Sequence, residues 1–210
     1  MPLYKTIKPH ANTIIFVWNI KDSLAKLSEN MPLSDNSIER LKHMKSELHR
    51  RGFLSVRHLL KAAGYTDHDL FYTPNGKPHL KDGKHISITH SYEFSAIIIS
   101  DREVGIDLEK NRPKITRIAS KFTNYIVDLE NQTNRQIEKL TVIWGAKESL
   151  YKIYPYGGLT FKNDIVVTPF KLDDTKTTAW IRATDWDKKY KIQFEKIENF
   201  TLVYAHDHFN

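Results

Sequence analysis

Between His85 and Lys110 the chain carries two closely spaced runs of strand-forming sequence, and this limits what can be built around them. "HISITHS" (His85 to Ser91) and "SAIIISDREVGIDLEK" (Ser95 to Lys110) are rich in β-branched residues, and Tyr92-Glu93-Phe94 between them predicts a hairpin. A turn at Asp101-Arg102-Glu103 breaks the second run. It ends in Val-Gly-Ile-Asp-Leu-Glu, where Asp107 and Glu109 are two apart and so share one face of the strand. Two carboxylates side by side are tolerated if both are solvated, if one stays protonated, or if a cation sits between them. The strand alone leaves all three open.

The rest of the pattern is mixed. "TIIFVWNI" (Thr13 to Ile20) predicts a buried strand, followed by a helix capped at Ser34 or Asn36, with Ile38, Leu41, Met44 and Leu48 in one stripe and Gly52 closing or interrupting it. Phe53, Val56, Leu59 and Leu60 repeat the device, with Gly64 as the residue past the helix end. Tyr72 to Gly83 is expected to be a loop, with Pro-Asn-Gly and Asp-Gly as its turn signals. One or two helices should run from about Ile115 to Tyr154, the stronger from Gln136 onward, with Leu140, Ile143, Trp144, Tyr151 and Ile153 among the apolar positions. "FKNDIVVTPF", "TTAWIRATD", "YKIQFEKI" and "FTLVYAHDH" alternate like an antiparallel meander. The sum is an α+β chain in two comparable halves dividing near residues 101–104, taken as 1–103 and 104–210, with no sequence repeat between them.

Composition narrows the setting. With 210 residues and 40% hydrophobic content, the chain can bury a substantial core. The absence of cysteine removes disulfides, thiolate metal sites and cysteine nucleophiles together. "MPLYKTIKPH" has no apolar signal region, and the longest aliphatic run, Ala96 to Ser100, is too short to span a bilayer; the chain is expected to be soluble and cytoplasmic. A net charge of +7 favours an anionic partner, whether nucleic acid, a phosphorylated small molecule or an acidic protein. Lysine and arginine are spread along the whole length, so a nucleic-acid reading has composition behind it but no motif.

"WGAKESLYK" (Trp144 to Lys152) supplies a further carboxylate. Glu148 and Lys152 share a helix face with Trp144 one turn earlier, which on its own describes a surface ion pair worth about 0.3–0.5 kcal/mol. Brought beside Asp107 and Glu109, Glu148 would instead complete an oxygen-rich site of the kind magnesium prefers. His90 in "SITHS" and Lys77 in "NGKPHL" are individually unremarkable, a histidine at a strand end and a lysine on a turn.

Taken in order, Gly76-Lys77-Pro78, Ser87-x-x-His90-Ser91, Gly105-Ile106-Asp107-x-Glu109 and Trp144-x-x-Lys147-Glu148-x-x-x-Lys152 resemble the 4′-phosphopantetheinyl transferase superfamily, in its long, surfactin-synthetase-activating form. "RGFLSVRHLLKAAGY" and "GGLTF" (Gly157 to Phe161) add to the likeness, which covers roughly residues 45–170. The resemblance implies two pseudo-symmetric halves, each an antiparallel sheet packed with helices. It implies that Asp107, Glu109 and Glu148 hold Mg²⁺ on the pyrophosphate of coenzyme A, the co-substrate, with Lys152 also reaching the pyrophosphate. Glu148 or a metal-bound water would take the proton of the attacking serine. Lys77 and His90 would contact coenzyme A phosphates, and Arg51 or Arg57 its 3′-phosphate. The expected partner is an acidic acyl or peptidyl carrier protein, with no nucleic acid and no membrane, and the protein itself a monomer.

Two departures from the family pattern stand out. Ile126 and Val127 occupy the place of a further acidic residue, for which Asp128 or Glu130 is a candidate substitute, and Tyr156-Gly157-Gly158 replaces a Gly-Lys-Gly. The rival readings are a magnesium-dependent hydrolase of a nucleotide-like diphosphate and a non-catalytic module binding coenzyme A or nucleic acid.

Overall fold

The computed structural model describes residues 3–125, 133–184 and 186–207. The candidates Asp128 and Glu130 lie outside these residues. The chain separates into two compact units, residues 1–102 and 103–210.

The first unit opens with β1 (Leu3–His10), β2 (Thr13–Asn19), α1 (Leu24–Ser28), α2 (Asp35–His43) and α3 (Glu47–Ala62). It continues through β3 (Leu70–Tyr72), β4 (Pro78–Leu80), β5 (His85–Ser91) and β6 (Phe94–Ser100). The six strands form one antiparallel sheet in the order β1-β2-β6-β5-β4-β3. β1 escapes a reading by hydrophobic runs because it is an edge strand, mostly exposed and studded with lysine, which blunts pairing with other chains. Phe53, Leu54, Val56, Leu59 and Leu60 of α3 pack with Trp18, Ile86, Ile97 and Ile99 of the sheet.

Three local expectations are corrected here. The helix expected to run on from Ser34 is two helices, because Ser46 caps a new one, its hydroxyl accepting the His49 N–H. The break ends the continuous stripe and leaves Ile38 and Leu48 exposed. Gly52 neither ends nor interrupts a helix but lies buried inside α3. The expected loop after Tyr72 contains β4, so its Pro-Asn-Gly turn belongs to a short hairpin with β3. Gly64, at φ 86°, does stand past the end of α3; Tyr65 N–H donates to Leu60 O and Gly64 N–H to Lys61 O, closing the helix end.

The second unit holds β7 (Val104–Lys110), α4 (Lys114–Phe122), α5 (Asn134–Ile153), β8 (Ile165–Val167), β9 (Lys176–Ala183), β10 (Trp186–Ile197) and β11 (Phe200–Asp207). The meander β8 to β11 is extended by β7, which pairs antiparallel with β11, giving the order β7-β11-β10-β9-β8. Leu140, Ile143, Ala146, Leu150 and Ile153 of α5 join Ala179, Ile181, Tyr190, Ile192 and Val203 of the sheet in one core. Tyr151 falls off that stripe and is exposed. Each unit is thus an antiparallel sheet packed with helices, as the α+β reading expects. No described helix is long and apolar enough to cross a membrane.

Candidate active site

The second unit brings four of the expected site residues together. Along β7, Gly105, Asp107 and Glu109 share the face on which α5 lies, and the fit there is unusually close. A Cβ on Gly105 would collide with the Ser149 carbonyl group, and one on Gly145 would come within 2.7 Å of the Val203 methyl and 3.6 Å of Asp107 Oδ2. Val203 is the β11 partner of Asp107, so both glycines thin the same contact. Ser149 Oγ adds a hydrogen bond to the Val203 carbonyl at 3.2 Å. Sequence reading overlooked these glycines as site-builders. Their signal was available, since glycine inside a strand or helix weakens it unless a close approach requires it.

With the helix seated this way, Lys152 reaches across to the strand. Its Nζ donates to Asp107 Oδ1 at 2.9 Å and to the Ile106 carbonyl at 2.7 Å. Asp107 is only 4% exposed, so this ion pair is mostly withdrawn from water. Glu148, one turn earlier on α5, is half-buried. Burial and the charges of Asp107 and Glu109 push its carboxyl up to about 7, with Lys152 opposing them. Glu148 is therefore within electrostatic reach of both strand carboxylates and of the lysine.

The neighbouring helix residues hold the platform in place. Lys147 is buried beside Glu148 and donates to the carbonyls of Phe161 and Ile165, tying α5 to the segment that follows it; burial lowers its ammonium to about 8. Trp144 stands between Phe122 and Phe161, with ring centroids 5.2 Å from each. Beyond Glu109, a recess of about 200 Å³ is lined by Lys110, Arg112, Lys114, Ile115, Ile118 and Trp144 among others.

Among the described residues, no group of three or more histidine, aspartate or glutamate side chains is gathered closely enough to hold a metal ion with the side chains as they stand. The donor chemistry nevertheless fits a hard cation. All three candidates are carboxylates, and the Glu148 carboxyl is raised by its burial first and then by the neighbouring charges of Asp107 and Glu109, which Lys152 opposes.

The remaining candidates lie in the first unit. Lys77 sits on the β3–β4 turn, where Thr73 N–H donates to its carbonyl and its own N–H donates to Thr73 Oγ1. His90 is exposed at the end of β5 and rests against α3 at Gly52. Arg51 spends two of its N–H groups on the carbonyls of Asp22 and Ile20.

Arg57 has a different task. It is 3% exposed, and its guanidinium donates to Asp67 Oδ1, Ser37 Oγ and the Phe53 carbonyl. Burial alone would raise the Asp67 carboxyl, but hydrogen bonds from Ser34 and the Arg57 charge outweigh it and hold the carboxyl below its ordinary value. This network joins α2, α3 and the turn at Asp67 and keeps the Arg57 guanidinium buried, away from a phosphate arriving from solvent. The arginine expectation is carried forward for Arg51 alone.

A family model described as the 4′-phosphopantetheinyl transferase superfamily matches residues 103–205, which includes the whole β7–α5 platform. Over that stretch, just under half of its length, the chain is similar to this superfamily. Among curated proteins it is similar to a 4′-phosphopantetheinyl transferase of Bacillus subtilis, at 28% identity over 56% of this chain and 58% of the relative. It is also similar to the 4′-phosphopantetheinyl transferase gsp of Aneurinibacillus migulanus, at 29% over 62% and 55% respectively. The 4′-phosphopantetheinyl transferase Sfp of Bacillus subtilis strain 168 matches at 27%, again over 56% of this chain. The matched stretch spans a little over half the length of these relatives.

Proposed function

We propose that this protein is a member of that superfamily and transfers the 4′-phosphopantetheine group of coenzyme A to a serine of an apo acyl or peptidyl carrier protein, with Mg²⁺ as its metal. The observation that carries the reading is the meeting of β7 and α5, where Asp107, Glu109, Glu148 and Lys152 converge on one platform. A half-buried cluster of carboxylates would repel an anionic substrate by itself, which favours a metal-dependent reaction over a plain anion-binding module.

In this reading, Asp107, Glu109 and Glu148 hold the metal. The ion supplies neutralisation of the pyrophosphate and of the charge growing on the leaving oxygen. Lys152 donates to a pyrophosphate oxygen from the position where it now meets Asp107. The serine Oγ bonds to the phosphorus on the pantetheine side, the bridging P–O bond of the pyrophosphate breaks, and adenosine 3′,5′-bisphosphate leaves. Glu148, the carboxylate that α5 presents to the platform, would also be placed to take the serine proton.

Lys77, His90 and Arg51 are proposed to bind the phosphates of coenzyme A. Neutral replacement of Lys77 or His90 is then expected to raise KM for coenzyme A while leaving KM for the carrier unchanged. The reverse pattern in initial-rate measurements would assign both residues to the carrier instead.

The net charge of +7 supports an acidic partner. Attraction at long range is screened over about 8 Å at 0.15 M salt. Raising ionic strength with a non-chelating salt should therefore lower kcat/KM for the carrier steeply while kcat at saturating carrier changes little. A flat response would transfer the docking role to an apolar surface.

The test of the reading as a whole is to incubate the protein with coenzyme A, Mg²⁺ and a panel of apo carriers, then weigh the carriers by mass spectrometry. A serine-borne phosphopantetheine on at least one carrier is the expected result. Cleavage of coenzyme A with no modified carrier would favour the diphosphate hydrolase.

A further inference from the structure

The buried glycine in α3 has a neighbour that explains it. A Cβ built on Gly52 would lie 3.1 Å from His90 Nδ1 and 3.2 Å from its Cγ, closer than side chains normally approach. His90 thus lies with one edge of its ring on bare helix backbone, and Nε2, the ring atom farthest from that edge, is turned away from it.

The same spot is fastened from beneath. Ser55 Oγ lies 2.7 Å from the Gly52 carbonyl oxygen and 2.8 Å from Ser95 Oγ, and both serines are fully buried. The single Ser55 hydroxyl proton lies between these two acceptors, the Gly52 carbonyl and Ser95 Oγ. Ser95 is the β6 partner of His90 in the hairpin register. The helix turn under the histidine and the strand beside it are therefore linked by a dry hydrogen-bonded chain. His49, one turn before Gly52, has its ring centroid 6.4 Å from that of His90.

We infer that Gly52 is a positioning residue for His90: its missing side chain, held in place through Ser55 and Ser95, sets the direction in which the imidazole is presented to a phosphate of coenzyme A. The inference rests on the reading of His90 given above. Alanine is the better helix former, so Gly52→Ala strengthens α3 itself while pushing the imidazole off its seat.

Two measurements on the full-length protein test this. In ¹H–¹⁵N or ¹H–¹³C spectra without coenzyme A, the His90 ring signals, assigned by their loss in His90→Ala, should shift in Gly52→Ala, while thermal melts show the variant folded. In initial-rate assays Gly52→Ala should raise KM for coenzyme A by about three- to tenfold with kcat nearly unchanged, and this rise should vanish when both proteins carry His90→Ala. Unmoved ring signals, or a rise in KM that survives without His90, overturn the positioning role. If the ring signals shift but His90→Ala leaves KM for coenzyme A untouched, the assignment of His90 to coenzyme A has failed, and the inference falls with it for that separate reason. If Gly52→Ala does not fold, Ser55→Ala provides the second variant; it loosens the same turn without adding volume and should move the His90 signals as well.

Discussion

Glu148→Gln and Asp107→Asn are each expected to lower transfer by about 10²- to 10³-fold or more while the protein stays folded. Each change keeps the size of the side chain and removes a charge that the proposed reaction needs, for the metal in both cases and for the serine proton in the case of Glu148. The stability side of the prediction has a definite sign. Burial and neighbouring charges hold the Glu148 carboxyl at about 7 in the folded protein against an ordinary 4.5. The folded state therefore keeps a proton that the unfolded chain has already released, and the associated stability is fully present below about 4.5 and lost as pH rises through 7. Each unit of displacement corresponds to about 1.4 kcal/mol, so the effect is measurable in melts. In chelator, Glu148→Gln should match the wild type near pH 4.5 and melt higher above pH 7. A large loss of stability at pH 8 would mark the carboxylate as part of the scaffold instead.

Gly105→Ala is expected to be the most damaging single methyl group in the second unit. The obstacle is main chain: the new Cβ would run into the Ser149 carbonyl, at 2.7 Å from its carbon and 3.1 Å from its Cα. No side-chain rotation relieves that contact, so α5 must lift from β7. The expected destabilisation is about 3 kcal/mol or more, with activity lost along with the geometry of Glu148 and Lys152. Gly145→Ala provides the control. It meets a Val203 methyl at 2.7 Å, a side-chain obstacle, so Val203→Ala should rescue part of its loss in urea titrations. The same Val203→Ala change should rescue nothing in Gly105→Ala.

The strands from His85 to Lys110 were readable because β-branched runs and a tight join leave few alternatives, and β5, β6 and β7 fall close to the expected limits. β1 was not, since an exposed edge strand carries no apolar alternation to read. The break before α3 was hidden for another reason. Ser46 could equally have been a surface residue within a longer helix, and only its hydrogen bond to His49 N–H makes it a cap. The candidate site shows the same division. The order of motifs selected Asp107, Glu109, Glu148 and Lys152, but what draws them together is the contact of two elements distant in sequence, for which Gly105 and Gly145 are the local trace. Arg57 shows the limit of carrying a role over by motif, because a basic residue at the right spacing can be committed to a buried carboxylate that only the fold reveals.

The central claim, that the β7–α5 platform is a cation site, is tested most directly by melting temperature against Mg²⁺ concentration at pH 8. Binding to the folded state alone raises stability by mass action. The wild type should therefore melt progressively higher with Mg²⁺, less so at pH 5.5 where Glu148 is protonated, and Asp107→Asn and Glu148→Gln should not respond. A wild-type curve that is flat in Mg²⁺, or a rise that persists in both variants, would contradict the assignment.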